Sequence, residues 1–333
     1  MRNSGIGGQA VMEGVMMKNK DKYAVAVRKP DKEIDVKVFD YKGPGKENKL
    51  KKIPIVRGVV SFVDSLYLGM STLTYSSSFF EEEEGKKEET TEESSEAEEN
   101  SEVEVKLEDI EEESKKETKT SKVKEDAVRG GTIVLAIALA IGIFFGIPFL
   151  CTLVLEKFIH SHIWIAVIEG VIRLGIFIAY VGLVSYVPDI KRTYMYHGAE
   201  HKCINCIEHG LELTVENVKK SSKQHKRCGT SFLIIVMIIS IIFFIFIQVD
   251  SGILRLVLRL ILIPVIAGVS YEFIRLAGKT DNKIVNLLSV PGMWMQNITT
   301  IEPDEDMIEV GIAATEAIFD WKKWQEENLN DPA

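Results

Sequence analysis

The longest stretch without a charged residue decides what kind of protein this chain can form. Residues 131 to 155 read GTIVLAIALAIGIFFGIPFLCTLVL and contain no Asp, Glu, Lys or Arg. As an α-helix, this run is long enough to cross the roughly 30 Å hydrocarbon core of a bilayer. Three further apolar runs follow, at residues 162–187, 231–249 and 253–274. The sequence therefore predicts an α-helical polytopic membrane protein with about four transmembrane helices.

The distribution of basic residues predicts the orientation of these spans. Lys and Arg concentrate in cytoplasmic loops, and the two short links that join the spans in pairs carry only Lys157. We therefore expect the loop 188–230 and both termini to face the cytoplasm of a bacterial inner membrane. The N-terminus has no signal-peptide pattern, so we expect it to be retained. The basic residues on the cytoplasmic side are Lys122, Lys124, Arg129, Lys191, Arg192, Lys226, Arg227, Lys279 and Lys283.

One segment dominates the formal net charge of −9. Residues 81–126 hold 21 acidic residues and 8 lysines, a local net charge of −13, whereas the rest of the chain holds 28 acidic and 32 basic residues. A segment so charged and so poor in apolar residues cannot offset its ordering entropy by burial. We predict that this acidic insert is disordered.

The parts outside the spans divide into three further segments. Residues 1–52 combine a Gly-rich start with KYAVAVR and EIDVKVFD, whose alternation around KPDK predicts a β-hairpin. Residues 53–80 are apolar but interrupted by Arg57 and Asp64, which favours an amphipathic or re-entrant helix, with a full span as the alternative. Residues 277–333 predict a C-terminal cytoplasmic helix beginning near EPDEDMIEV. Residues 127–187 and 231–276 hold the paired spans.

Few ionisable residues fall inside the predicted spans. Glu169 and Arg173 are one helical turn apart on the second span, and Arg259 lies at a similar depth on the fourth. A buried charge is costly in a membrane, so we predict that these residues form an intramembrane charge pair. Such a pair joins helices or marks a functional site.

The loop 188–230 concentrates metal-ligating side chains. It holds four of the six histidines and three of the four cysteines, and Cys203, Cys206 and Cys228 would be reduced in the cytoplasm. The sequence HGAEH places His197 and His201 one turn apart on a helix. Glu200 beside them could act as a catalytic base.

Three ligand sets remain open. The first is the His197, Glu200 and His201 pattern alone. The second joins Cys203 and Cys206 to His225 and Cys228 in a closed structural zinc site. The third combines the two histidines of the first set with Glu208 or His225 and leaves a coordination position open for water.

Five motifs make the chain recognisable. GIGGQAVMEGVMM, YHGAEHK, LTVENV, RCGTSF and TTIEPDEDMIEV together resemble the YqhQ-like family of bacterial membrane proteins, a group of unknown function described as predicted metal-dependent enzymes. The resemblance spans nearly the whole chain apart from the acidic insert. It implies metal ligands among His197, His201, Glu208, His225 and Cys228, with Glu200 catalytic. Glu13, in the first motif, is implied as a ligand or as a support for one.

The sequence therefore predicts a cytoplasmic face of mixed α and β structure that holds a divalent metal, with zinc as the expected ion. We expect a metal-dependent hydrolase acting on a lipid or a membrane-protein segment, and the alternative is a scaffold or assembly factor with a structural metal. The bilayer is the expected partner, together with a second copy of the chain. No nucleic-acid or organic-cofactor motif is present.

Overall fold

The computed structural model describes most of the chain outside the acidic insert. The chain divides into two compact units, formed by residues 1–83 with 162–333 and by residues 84–161. Residues 93–126, where disorder is predicted, lie outside the described residues. The described residues are 3–41, 53–92, 131–132, 134–247, 249, 251–280 and 282–329.

The N-terminal segment forms a four-stranded antiparallel sheet in the order β1-β2-β3-β4. The predicted hairpin is its second half, with Ala26 paired to Val36. The Gly-rich start forms the first half, which the sequence did not predict because its glycines favour turns over strands. The strands are β1 Gly7–Val11, β2 Gly14–Asn19, β3 Lys22–Arg28 and β4 Ile34–Asp40.

Ten helices follow the sheet in the described residues. The second contains a π-helical turn at Gly142–Gly146. Their bounds are α1 Val56–Glu92, α2 Val134–Leu155, α3 His162–Val184, α4 Pro188–Glu208, α5 Val215–Lys220, α6 Gly229–Ile245, α7 Gly252–Ala277, α8 Lys283–Thr299, α9 Glu305–Glu316 and α10 Trp321–Leu329.

Three of the described helices, α2, α3 and α7, are long and apolar enough to cross a membrane. The remaining predicted span, residues 231–249, corresponds to α6, which is apolar but has 17 residues. At about 1.5 Å per residue, α6 is roughly 25 Å long, somewhat less than the hydrocarbon core. By length and composition, the described chain therefore has three candidate spans and one shorter apolar helix.

Helix α1 runs along the sheet. Gln9 of β1 donates a hydrogen bond to the Thr72 hydroxyl (2.6 Å), and Ser76 accepts one from the backbone of Met12 (3.0 Å). The helix continues to Glu92, into the first part of the segment for which the sequence predicted disorder. Its exposed apolar side chains recur at helical spacing along one face: Val63, Leu66, Tyr67, Met70 and Leu73.

One hydrophobic core joins three distant parts of the sequence. The sheet, α4, α9 and α10 all contribute fully or nearly fully buried side chains to it. Helix α9 begins where EPDEDMIEV predicted a helix, with the Asp304 side chain capping the backbone of Met307 (2.8 Å). Core members include Val15, Met17, Ala26, Ala199, Ile204, Ile207, Met307, Ile308 and Trp321.

Two glycines allow the main chain to approach α4 from opposite sides. A Cβ at Gly8 would lie 2.9 Å from Cγ of Glu200, and a Cβ at Gly198 would lie 2.1 Å from the carbonyl oxygen of Ile301. Both separations are too short for a real side chain. The sheet and the segment before α9 can therefore pack closely against this helix only because these residues have no side chain.

We predict that Gly198→Ala destabilises the protein. The added methyl would force the Ile301 backbone away from α4, and overpacking of this kind costs about 1–3 kcal/mol. The midpoint of thermal unfolding of the detergent-solubilised protein measures the effect. Gly7→Ala is the matched control, because a Cβ at Gly7 has nothing within 4 Å. Equal midpoints for the two variants would show that the contact at Gly198 is unimportant.

Candidate metal centre

Helix α4 places two histidines and a glutamate together. The imidazole rings of His197 and His201, one turn apart, have centroids 4.5 Å from each other. Glu200 lies between them, with its Oε2 atom 3.9 Å from Nε2 of His197 and 4.0 Å from Nε2 of His201. His201 and Glu200 are buried, and His197 keeps a small exposed fraction. The HGAEH pattern therefore forms the compact arrangement that its helical spacing predicts.

Cys228 completes a cluster of three potential ligands. It is the N-cap residue of α6, and its Sγ lies 3.2 Å from Nε2 of His197. One ligand atom from each of His197, His201 and Cys228 lies within 4.8 Å of the others. A single ion could contact all three. Among the described residues, this is the group of His, Cys, Asp and Glu side chains whose spacing suits a metal ion.

Backbone carbonyls orient both histidines. Nδ1 of His197 lies 2.9 Å from the carbonyl oxygen of Thr299, and Nδ1 of His201 lies 2.6 Å from that of Lys223. A carbonyl can only accept a hydrogen bond, so each Nδ1 carries the proton when the ring is neutral. Nε2 then has a free lone pair on the side of Cys228. Metal-binding histidines in proteins are commonly oriented in this way.

The cluster also favours the ionised form of the thiol. Burial raises the pKa of Cys228, but the adjacent His197 and His201 outweigh burial and hold it well below its usual range. Burial lowers the pKa of His197, whereas the charge of Cys228 raises it, with a net result of about 9. Both shifts favour a thiolate on Cys228 beside a protonated His197. The thiolate is the form that binds zinc.

Glu208 and His225, two other candidate ligands, form a separate cluster. Glu208 accepts hydrogen bonds from the backbone and hydroxyl of Ser4 (2.8 and 2.7 Å) and from Arg227. Nε2 of His225 lies 3.7 Å from the Glu208 carboxylate and accepts a hydrogen bond from Arg227 (3.1 Å). These contacts tie the N-terminal segment to the end of α4 and to the loop before α6.

Glu13 lies away from the three clustered ligands. It occupies the turn between β1 and β2 with a positive φ of 48°. Its carboxylate accepts hydrogen bonds from the guanidinium of Arg192 and from the hydroxyl of Tyr196 (3.2 Å). Both partners lie on α4, so Glu13 joins the sheet to the helix that carries the histidines.

Cys203 and Cys206 face the hydrophobic core. Both are fully buried among the core residues of α4, the sheet and α9. Burial raises the pKa of each thiol, and the nearby Cys206 and Glu200 raise that of Cys203 further. The Cys206 thiol donates to the carbonyl of Glu212 (3.4 Å). The structure thus places Cys203 and Cys206 in the core, whereas Cys228 lies beside His197 and His201. The four residues of the predicted closed zinc site are therefore not brought together.

The ionisable residues of the apolar helices converge at another place. The Glu169 carboxylate on α3 bonds to Arg173 on the same helix (2.8 Å) and to Arg259 on α7. The ring of Phe244 on α6 lies 5.2 Å from the guanidinium carbon of Arg173 and 5.1 Å from that of Arg259. This charge cluster links three helices and is distinct from the His–Cys cluster.

The three potential ligands border a cleft of about 830 Å³. Strand β1, helix α1, helix α4 and the start of α6 line it, with Asp64, Tyr194, Arg227 and Thr230 among its polar residues. Helix α8, which the sequence did not predict to lie near these residues, supports the loop before α6. Gln296 of α8 holds the His225 backbone through both its oxygen and its nitrogen (2.7 Å each). Its start at Asn282, a helix-capping residue, was the available signal.

Together, these features define a mainly helical protein with three candidate membrane spans and a buried His–His–Cys cluster beside a cleft. Residues 53–321 match a family model described as a protein of unknown function (DUF1385). The chain is also 35% identical over 324 residues to the uncharacterized protein YqhQ of Bacillus subtilis (strain 168), covering 97% of this chain and 94% of that protein. The chain belongs to this family, as its motifs predicted. No solved structure matches it.

We predict that Glu208 stabilises the fold in a pH-dependent way. Burial raises its pKa, but His225, Arg227 and Ser4 outweigh burial and lower it from 4.5 to about 2. Its contribution is therefore complete above pH 4.5 and is lost as the pH falls from there towards 2. The thermal midpoint of Glu208→Gln should lie below that of the wild type at pH 7.

This difference in midpoint should shrink as the pH falls from 4.5 towards 2. Glu212→Gln is the control. Glu212 is exposed in the link between α4 and α5, so this substitution should leave the midpoint unchanged at every pH. A difference between wild type and Glu208→Gln that stayed constant from pH 7 to pH 3 would contradict the assignment.

Proposed function

We propose that this protein is a metal-dependent hydrolase of the bacterial inner membrane, and that its metal is a zinc ion held by His197, His201 and Cys228. The convergence of these three side chains, with both imidazoles oriented by backbone carbonyls, is the observation that carries the proposal. Two nitrogens and one thiolate are a ligand set that suits zinc. Three protein ligands leave one tetrahedral position for water, as in known catalytic zinc sites.

If His197, His201 and Cys228 hold zinc, the ion would supply an activated water molecule, because zinc lowers the pKa of such a water to about 7. Glu200 is the base that we assign to the reaction, because its buried carboxylate lies within 4.0 Å of both histidine Nε2 atoms. It takes a proton from water and returns one to the leaving group. The cleft supplies room for the substrate, which is a lipid headgroup or a segment of a membrane protein.

The shared core supports a topology with the catalytic cleft in the cytoplasm. The sheet, α4 and α9 pack together, so the chain returns to the same side of the membrane after α2 with α3 and again after α6 with α7. If α7 crosses the bilayer, α6 crosses it too, despite its 17 residues. Helix α1 lies against the sheet and therefore rests at the membrane surface. The resulting protein has four spans and two cytoplasmic termini.

We predict near-stoichiometric zinc in the purified wild-type protein and its loss in His197→Ala and Cys228→Ala. Each substitution removes one of three ligands and so weakens binding strongly. Elemental mass spectrometry measures the metal content. Cys203→Ala is the matched control, because this buried thiol packs in the core, and it should retain the metal.

A catalytic metal is distinguished from a structural one by combining metal content with the thermal midpoint and with function in cells. Glu200→Gln should keep the metal and the thermal midpoint of the wild type while losing function in cells. A wild-type protein that is folded but contains no metal would overturn the proposal. If His197→Ala were to unfold the protein and Glu200→Gln were to keep full function, the metal would be structural and the protein a scaffold.

We predict that Glu212→Cys is protected from a membrane-impermeant maleimide in intact cells and reacts after permeabilisation. The position is exposed and follows α4, which the topology assigns to the cytoplasm. Lys157→Cys, in the link between α2 and α3, should react in intact cells and serves as the opposite-side control. Labelling of both variants in intact cells would contradict the topology, with the wild-type chain as the blank.

A further inference from the structure

Helix α8 (Lys283–Thr299) supports the candidate metal centre through its inner face. Gln296 bonds to the backbone of His225 and to the Ser231 hydroxyl (2.6 Å). The carbonyl of Thr299 fixes the imidazole of His197. Two further contacts hold the loop before α6: Lys226 donates to Asn286 (3.1 Å) and Gln224 donates to Asn297 (2.9 Å).

The outer face of α8 is apolar and exposed. Its large side chains are spaced three, four and seven residues apart and so form one stripe along the helix. Between about half and two thirds of each is exposed, which is too much contiguous apolar surface to face water without a partner. The stripe consists of Ile284 (69%), Leu287 (70%), Leu288 (51%), Val290 (49%) and Trp294 (52%).

Packing places α8 beside the ends of two apolar helices. Met295, fully buried, packs with Val181 of α3 and Ile234 of α6. Val181 lies one turn before α3 ends, and Ile234 lies in the second turn of α6. Both ends adjoin the segment that carries His197 and Cys228. The helix therefore lies at the level where the candidate spans leave the hydrocarbon.

The residues around α8 match a lipid surface better than a second protein chain. Lys279 after α7 and Lys283 at the start of α8 bring positive charge to the same level, whereas Arg275 in the last turn of α7 lies 4.0 Å from the Glu272 carboxylate. Basic residues at this depth attract anionic headgroups, and Trp is enriched at the boundary between headgroups and acyl chains. Helix α8 also follows the candidate span α7 after a short link, so the two helices are neighbours along the chain.

We propose that α8 lies in the plane of the bilayer surface, with Ile284, Leu287, Leu288 and Trp294 inserted among the lipids. The bilayer thereby supports α4, which carries His197, and the start of α6, which carries Cys228. A helix of 17 residues with one apolar face is typical of in-plane membrane binding. The inference concerns the surface on which the centre rests, and it holds whichever reaction the centre catalyses.

Tryptophan fluorescence in vesicles tests this inference. The full chain with Trp164→Phe, Trp321→Phe and Trp324→Phe retains Trp294 alone and is reconstituted in phosphatidylcholine and phosphatidylglycerol. Lipids brominated in the upper part of the acyl chain should quench Trp294 at least twofold more than aqueous iodide does. The matched control retains Trp324 alone, on α10 in the domain that packs on the sheet, and should show the opposite order.

Two outcomes would overturn the inference. Quenching of Trp294 by iodide as strong as that of Trp324 would place the stripe in water. Protection of Trp294 from both quenchers, in vesicles and in detergent, would show that a second copy of the chain covers it. If the triple variants fail to fold, the difference between the wild type and Trp294→Phe gives the same reading, because bromolipid quenching should fall when Trp294 is removed.

Discussion

The close packing of helix α4 against the sheet on one side and the Ile301 backbone on the other is the contact on which the rest of the structure depends. Gly8 and Gly198 permit both approaches, since a Cβ at Gly8 would collide with the Glu200 side chain and a Cβ at Gly198 with the Ile301 main chain. Arg192 and Tyr196 add polar contacts by holding Glu13 in the β1–β2 turn. Contacts within the protein therefore hold the helix that carries His197, Glu200 and His201 in position.

The candidate centre also depends on two later segments of the chain. Cys228 lies at the start of α6, and the Thr299 carbonyl that orients His197 lies at the end of α8. The thiolate and the imidazolium stabilise each other, so the buried charges are paired even without an ion. Binding of a cation would replace the proton on the imidazole while keeping the thiolate, which makes metal binding a proton-releasing step.

The sequence predicted the parts of this arrangement that depend on local pattern. Helical spacing was enough to bring His197, Glu200 and His201 together, and period-two alternation was enough to locate the β3–β4 hairpin. It offered Glu208 or His225 as the third ligand beside the two histidines and did not combine them with Cys228, because that combination depends on how α6 packs against α4. The sequence also missed β1 and β2, because their glycines favour turns; Gly8 leaves no room for a Cβ against the Met16 backbone and the Glu200 side chain.

The shared core has a consequence for how the protein is made. The sheet leaves the ribosome first, but the residues of α9 and α10 that cover its inner side, such as Met307 and Trp321, are synthesised last. During synthesis, Val15 and Met17 remain without their final partners from α9 and α10 while the intervening apolar helices are made. The N-terminal strands thus present an open hydrophobic surface for most of translation, and such surfaces aggregate or recruit chaperones. In this chain, α9 and α10 complete the core, so removing them would leave Val15 and Met17 exposed.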